Sequence, residues 1–260
     1  MSLLIWILLF CLLGGALSVA AAAAFLMLPE RLRDRLLPHA ISFAIGALLG
    51  AAFLGLLPHA LESAGDTDVH RIFAAVLFGV FGFFLLEKLV LWRHCHHEHC
   101  EVHTPEGSDH RHVAAGTLIL VGDGIHNFID GVLIGAAFLT DIHLGIVTSL
   151  AVAAHEIPQE VGDFAVLLHS GYSTVRAFVF NMLSSLTTVI GGILAWYGLR
   201  DLQPVLPYVL AVAASSFIYI AVADLIPGLH RRVEFSATVK QVLLISAGVG
   251  LIFFAHSTLH

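Results

Sequence analysis

The stretch VAAGTLILVGDGIHNFIDGVLIGAAF, residues 113–138, is long enough to cross a bilayer, yet it holds two aspartates, a histidine and an asparagine. After the short connection TDIH (140–143), LGIVTSLAVAAHEIPQEVGDFAVLL at 144–168 repeats the pattern, with HEIPQEVGD at its centre. A hydrocarbon core of about 30 Å is crossed by about 20 helical residues. Backbone polar groups in lipid need internal partners, so both stretches are expected to be helices.

Comparable apolar runs lie on either side, at 3–27, 40–62, 71–92, 174–198, 204–226 and 238–257. Of the 260 residues, 58% are hydrophobic and 12% charged, and the mean hydropathy is +0.91. Soluble domains carry about 25% charged residues. The chain therefore reads as an all-α polytopic membrane protein, eight transmembrane helices forming one transmembrane domain over 1–260. The first run lacks a basic leader and is too long for a signal-peptide core, so it is expected to be an uncleaved span. The 12 Lys and Arg form no basic helix, which argues against nucleic acid as a partner. Three cysteines make no disulfide framework.

Basic residues orient the spans. All but Arg71 and Arg200 of the 12 fall on one side: Arg31, Arg33, Arg35, Lys88, Arg93, Arg111, Arg176, Arg231, Arg232 and Lys240. The positive-inside rule makes that side cytoplasmic and leaves both termini extracellular or periplasmic in a multi-pass cell-membrane protein. AAFLGLLPHAL in span 2 and SFIYIAVADLIPGL in span 7 share a Leu/Ile-Pro step with a polar residue nearby. Spans 1–3 and 6–8 would then be inverted triplets around spans 4 and 5, a 3+2+3 arrangement of the kind transporters use.

Residues four apart share a helix face. His126 and Asp130 thus stack on span 4, with Asn127 beside them and Asp123 one turn earlier. On span 5, His155 and Gln159 form one stripe, and Glu156, Glu160 and Asp163 the next. A charge at the centre of a membrane helix costs about 2.5–3.5 kcal/mol, so four buried carboxylates cost on the order of 10 kcal/mol unless hydrated, protonated or coordinated. Asn and Ser would bind helix to helix more cheaply. Mixed imidazole nitrogen and carboxylate oxygen suits zinc and neighbouring divalent transition metals, whereas magnesium and calcium prefer oxygen alone. Pro158 removes a backbone donor and frees a carbonyl near Ala154. Gly131, Gly135 and Gly162 are expected at close helix contacts.

HNFIDGVLIGAAF together with HEIPQEVGDFAVLL resembles the ZIP (ZRT/IRT-like) family of divalent metal transporters, closest to its LIV-1 branch. The resemblance implies metal passage between spans 4 and 5 toward the cytoplasm. It also implies a principal site of His126, Asp130, His155 and position 159, and an adjoining one of Asn127, Asp130 and Glu156. Position 159 is Gln159 where the branch has histidine. A carboxylate that some members carry in span 6 is here Thr187 or Thr188, near Asn181 and Ser184. The transported ion is expected to be Zn2+ foremost, with Cd2+, Fe2+ and Mn2+ as alternatives.

The segment 93–112, RHCHHEHCEVHTPEGSDHRH, holds seven of the 17 histidines. It is read as a cytoplasmic His-rich loop, in which His96, His97 and His99 beside Cys95 and Cys100 can receive or sense metal. His59 and Glu62 at the outer end of span 2, and Asp224 at the inner end of span 7, read as entrance and exit ligands or as interfacial residues. Glu87 reads as an interfacial pair with Lys88. The expected partners are divalent metal ions and the lipid bilayer, with a homodimer as a further assembly. Two other classes stand against transport. An intramembrane zinc-dependent hydrolase would use HEIPQ as the start of H-E-x-x-H, though Gln159 replaces the second histidine. A metal-sensing membrane protein would bind without flux.

Overall fold

The computed structural model describes residues 2–65, 68–94, 108–230 and 234–259. Every regular element among them is helical. In chain order these are α1 (Leu3–Gly14), α2 (Ala16–Leu26), α3 (Glu30–Gly50), α4 (Leu57–Ser63), α5 (Val69–His94), α6 (Ser108–Thr140), α7 (Ile142–His169), α8 (Thr174–Ser185), α9 (Thr187–Leu199), α10 (Leu206–Tyr219), α11 (Ile226–Leu229) and α12 (Phe235–Leu259).

Among the described residues, seven helical stretches are long and apolar enough to cross a membrane: Leu3–Leu26, Glu30–Ser63, Val69–Leu89, Ile119–Thr140, Thr174–Leu199, Gln203–Leu229 and Phe235–Thr258. The 28-residue α7 has the length but is too polar to join them, because His155, Glu156, Gln159, Glu160 and Asp163 interrupt its apolar run. Two helices outrun the apolar stretches that announced them. α3 begins at Glu30 and α6 at Ser108, since backbone hydrogen bonding continues into polar residues.

Several of these stretches are not regular helices. α1 passes to α2 at Gly15 (φ −89°, ψ −96°). A side chain there would sit 2.6 Å from the Ser185 carbonyl, beside the interruption at Leu186 that separates α8 from α9. α3 reaches α4 through a π-helical segment, Ala51–Leu56, and α10 reaches α11 through another, Ile220–Leu225. Pro58 and Pro227 follow directly. A proline inside a helix lacks an N–H and its ring clashes with the carbonyl four residues back. Widening the preceding turn relieves both.

Packing follows small residues and buried aliphatics. α3 lies along α12, α5 along α10 and α6 along α9; α7 is held by α1, α2 and α3 as well as α6. The stretch Glu30–Ser63 is 67% buried over its most apolar window, against 11% for Val69–Leu89 and Phe235–Thr258. The former is therefore central and the latter two peripheral, turning Phe78, Phe81, Leu243 and Phe254 outward. The core joins Ile45, Leu48, Leu56, Phe138, Leu144, Val152, Leu210 and Phe217, with Trp6 and Phe10 stacked near Phe138. Of the glycines expected at close contacts, Gly131 abuts the Thr188 carbonyl and Gly135 the Ala195 side chain. Gly162 is a correction: among the described residues nothing lies within 4 Å of where its side chain would be, so it mediates no close contact there.

Candidate metal centre

The Asp141 carboxylate starts α7, accepting from the backbone N–H groups of His143 (2.8 Å) and Leu144 (2.9 Å). The connection it caps is tight enough to lay α7 against α6. Pro158 is accommodated within a continuous α7 and lines a cavity. Gly131 sets the depth of α6 against α9, where Thr188 donates to Asn127 Oδ1 (2.8 Å). Asn127 Nδ2 in turn donates to Asp123 Oδ1 (2.8 Å). Asn127 is 1% exposed, and each end of its amide has a partner.

Beside this clamp, His126 and Asp130 from α6 meet His155 and Glu156 from α7. His126 Nε2 lies 3.3 Å from His155 Nε2, 3.4 Å from Glu156 Oε1 and 3.8 Å from Asp130 Oδ2. His155 Nε2 is 3.3 Å from Asp130 Oδ2 and 3.6 Å from Glu156 Oε1. Zinc bonds of about 2.0–2.1 Å imply ligand–ligand edges of about 3.3–3.4 Å in a tetrahedron. The five separations that involve an imidazole are thus at or slightly above the edges of a tetrahedral zinc shell, and the four atoms all lie within 4.8 Å of one another.

Electrostatics explain what such a cluster can hold. His155 Nδ1 is 3.1 Å from the Ala151 carbonyl. A proton placed there leaves Nε2 as a lone pair, a backbone contact that commonly orients metal-binding imidazoles. Neither Asp130 nor Glu156 has a hydrogen bond to either carboxylate oxygen, though both side chains are 1% exposed or less. Acceptors converging without donors are costly in a low dielectric. A single proton relieves one pair of them, whereas a dication relieves all four.

A second group adjoins the first. One carboxylate oxygen from each of Asp123, Glu156 and Glu160 lies within 4.8 Å of the others, and all three residues are buried. A cavity of about 540 Å³ opens from this region, lined by Asp123, His126, Pro158, Gln159 and Asp163, and farther out by Glu87, Tyr219 and Asp224.

The chain matches the family described as ZIP Zinc transporter over residues 1–113 and 92–256. It belongs to the ZIP family. Zinc transporter ZIP13 of Pongo abelii is 30% identical over 265 residues, covering 92% of this chain and 76% of that protein. Zinc transporter ZIP10 of Danio rerio is 40% identical over 141 residues, covering 52% of this chain and 17% of that protein. Zinc transporter foi of Drosophila melanogaster is 42% identical over 145 residues, 53% of this chain and 20% of its own length. The chain thus spans about a fifth of the length of the latter two relatives.

Within this ZIP chain, the histidines and acids expected to converge from spans 4 and 5 do so. Gln159 and Asp163 reach the cavity. Asn127 is turned into the α6–α9 clamp, and Thr187 donates to the Gly124 carbonyl (2.7 Å). Ser184 donates to the Leu120 carbonyl (3.1 Å). Asn181 is buried with both amide atoms lacking a hydrogen bond. His96, His97 and His99, with Cys95 and Cys100, lie outside the described residues. His59 sits against His256 (ring centroids 5.4 Å) with Nδ1 at the Gly55 carbonyl. Glu87 corrects its expected role: it accepts from the Tyr219 hydroxyl across to α10 and faces the cavity, while Lys88 lies over the Phe84 ring. Tyr219 was not foreseen, because nothing in sequence connects α5 to α10.

Proposed function

We propose that this ZIP-family chain carries divalent transition-metal ions, zinc foremost, across a membrane toward the cytoplasm. The observation that carries this reading is the meeting of His126, Asp130, His155 and Glu156, in which each imidazole Nε2 lies 3.3–3.8 Å from the other and from both carboxylates, which lack hydrogen bonds. Their chemistry selects a borderline ion such as Zn2+; Cd2+, Fe2+ and Mn2+ are secondary candidates. Thiolate is absent from the set, which favours binding that can be reversed. Relatives named as zinc transporters favour the same cargo.

In this reading α7 is the eighth span, its polarity being that of the path itself. The spans then form a 3+2+3 arrangement with inverted triplets. The broken first and sixth spans, the π-helical segments before Pro58 and Pro227, and the α3–α12 and α5–α10 pairings all agree with that symmetry. Both termini lie outside, and the cavity bearing Asp123, Gln159, Asp163, Glu87 and Asp224 opens inward. Gln159 lends a weak amide oxygen at the site's edge, and Asn127 acts through its clamp on Asp123. His96, His97 and His99 receive the released ion. An intramembrane hydrolase is disfavoured, because Gln159 stands where a second zinc-holding histidine belongs.

Zinc uptake by vesicles containing the purified full chain and a trapped fluorescent chelator tests this function. Saturable uptake is expected, falling at least about tenfold in a folded His155→Ala variant. Binding without uptake overturns transport in favour of a sensor. Uptake unaltered by His155→Ala overturns the site.

A further inference from the structure

We infer that this chain holds one acyl chain of an anionic membrane phospholipid in a groove between α5, α6 and α10, with the lipid phosphate at Arg71. The groove is separate from the cluster around His126 and does not depend on which ion the protein carries.

A cavity of about 700 Å³ lies where the three helices meet, and apart from the hydroxyl of Tyr208 its lining side chains are wholly apolar. Phe78, one of them, is 72% exposed, so the cavity is a groove in the outer surface of the bundle. A held water needs two to four polar partners, which this lining does not offer. A hydrocarbon tail needs none and gains dispersion contacts along both walls.

The sequence accounts for the shape. α5 supplies Ala75, Gly79, Gly82 and Leu86 at helical spacing, so they share one face. A side chain at Gly79 would strike the Ser215 hydroxyl, which presses α5 onto α10 at that level. One turn on, at Gly82, nothing described lies within 4 Å of where a side chain would begin. α6 forms the remaining wall through Phe128 and Val132, and it packs chiefly on α7 and α9 rather than on α5. A seated tail therefore lies against the helix that bears His126 and Asp130.

Length and charge select the occupant. Ala75 to Leu86 spans about 16 Å at about 1.5 Å per residue. Half of a hydrocarbon core of about 30 Å is about 15 Å, so the groove is as long as one leaflet is deep. Arg71 lies four residues before Ala75, hence on the same face and one turn beyond the end of the groove, exposed in the first turn of α5. Asp68, three residues earlier, accepts from the backbone N–H of His70 (3.0 Å). A guanidinium matches phosphate oxygens in a two-bond fork. Tail and phosphate of one lipid thus fit the two parts of one feature, and a net negative headgroup brings no cation of its own to compete with Arg71.

Native mass spectrometry tests the assignment on the full chain, reconstituted with equal amounts of phosphatidylglycerol and phosphatidylcholine and then released into mild detergent. Wild type should retain about one phosphatidylglycerol per chain. Gly82→Leu, whose side chain enters open space, should keep its melting temperature and lose that lipid by at least about tenfold in occupancy. Arg71→Gln should still retain a phospholipid but take the two headgroups equally. Four results overturn the site: no lipid on wild type, equal retention by wild type and folded Gly82→Leu, no headgroup preference in wild type, or a lipid-free dimer. A measurement on wild type alone covers the case of a variant that does not fold. Phosphatidylglycerol with a photoreactive diazirine in its acyl chain should label α5, α6 and α10 in preference to α12, whose Leu243 and Phe254 also face outward. Labelling of α12 to the same level means passing lipid contact only, and overturns the site as well.

Discussion

Asp130 and Glu156 occupy the positions where solvent has been removed and no donor supplied, and this places a cation requirement on individual atoms. Gln159 is the residue that sets how firmly the requirement is met. It lines the same cavity as His126, and an amide oxygen is a poorer ligand than imidazole for a borderline metal. Gln159→His should lower the half-saturating zinc concentration for uptake by about tenfold, the equivalent of ~1.4 kcal/mol. It should also lower the maximal rate, because tighter binding slows departure; uptake titrations of both proteins measure the two effects together. At this scale the sequence was highly informative. His126, Asp130, His155 and Glu156 were legible from i,i+4 stacking on two neighbouring apolar runs. The partners of Asn127 were not, since Thr188 meets it across 61 positions of chain. Nor was Glu87's hydrogen bond to Tyr219, for the same reason.

Helices put those atoms within reach, and two local devices do most of the placing. Gly131 lets α6 approach α9 so closely that any side chain would strike the Thr188 carbonyl. Gly131→Ala should force the helices apart, destabilising the protein by about 1–3 kcal/mol and reducing zinc uptake as the clamp on Asn127 loosens. Thermal unfolding in detergent and vesicle uptake check the two parts. Asp141 is the other device. Partial burial works to raise its pKa, but the N–H groups donated by Leu144 and His143, helped by the nearby His143 and His59 rings, outweigh that and hold it below the ordinary carboxylate value. A carboxylate so depressed contributes stability above its unfolded pKa and loses it as pH falls through the folded one. Asp141→Ala should therefore cost about 1 kcal/mol near neutral pH. The gap between the two melting temperatures should narrow as the medium is acidified below the usual carboxylate range. In the sequence TDIH was legible only as a short connection between two apolar runs, and the cap by Asp141 is seen in the structure. The π-helical segments were not legible either, because a Leu/Ile-Pro step is compatible with a kink, a break or a widened turn until the neighbouring helices are known.

The whole molecule is a membrane-type helical bundle in which the buried carboxylates among the described residues, Asp123, Asp130, Glu156 and Glu160, all come from α6 and α7. Composition made the class legible at once: 58% hydrophobic and 12% charged residues leave no surface for water. It leaves α7 short of the apolarity of the seven candidate spans, since His155, Glu156, Gln159, Glu160 and Asp163 dilute its hydropathy. Periphery and centre were invisible to hydropathy altogether, because α5 and α12 face outward with the same residue types that α3 buries. The bundle's central claim is that imidazoles and carboxylates from two adjoining helices enclose one ion in its interior. X-ray absorption at the zinc edge, on the purified chain carrying one equivalent of zinc, reads that shell directly. The account predicts nitrogen and oxygen neighbours at about 2.0–2.1 Å, with one imidazole fewer in His155→Ala. A shell dominated by sulfur at about 2.3 Å, or a spectrum identical in wild type and His155→Ala, would contradict it.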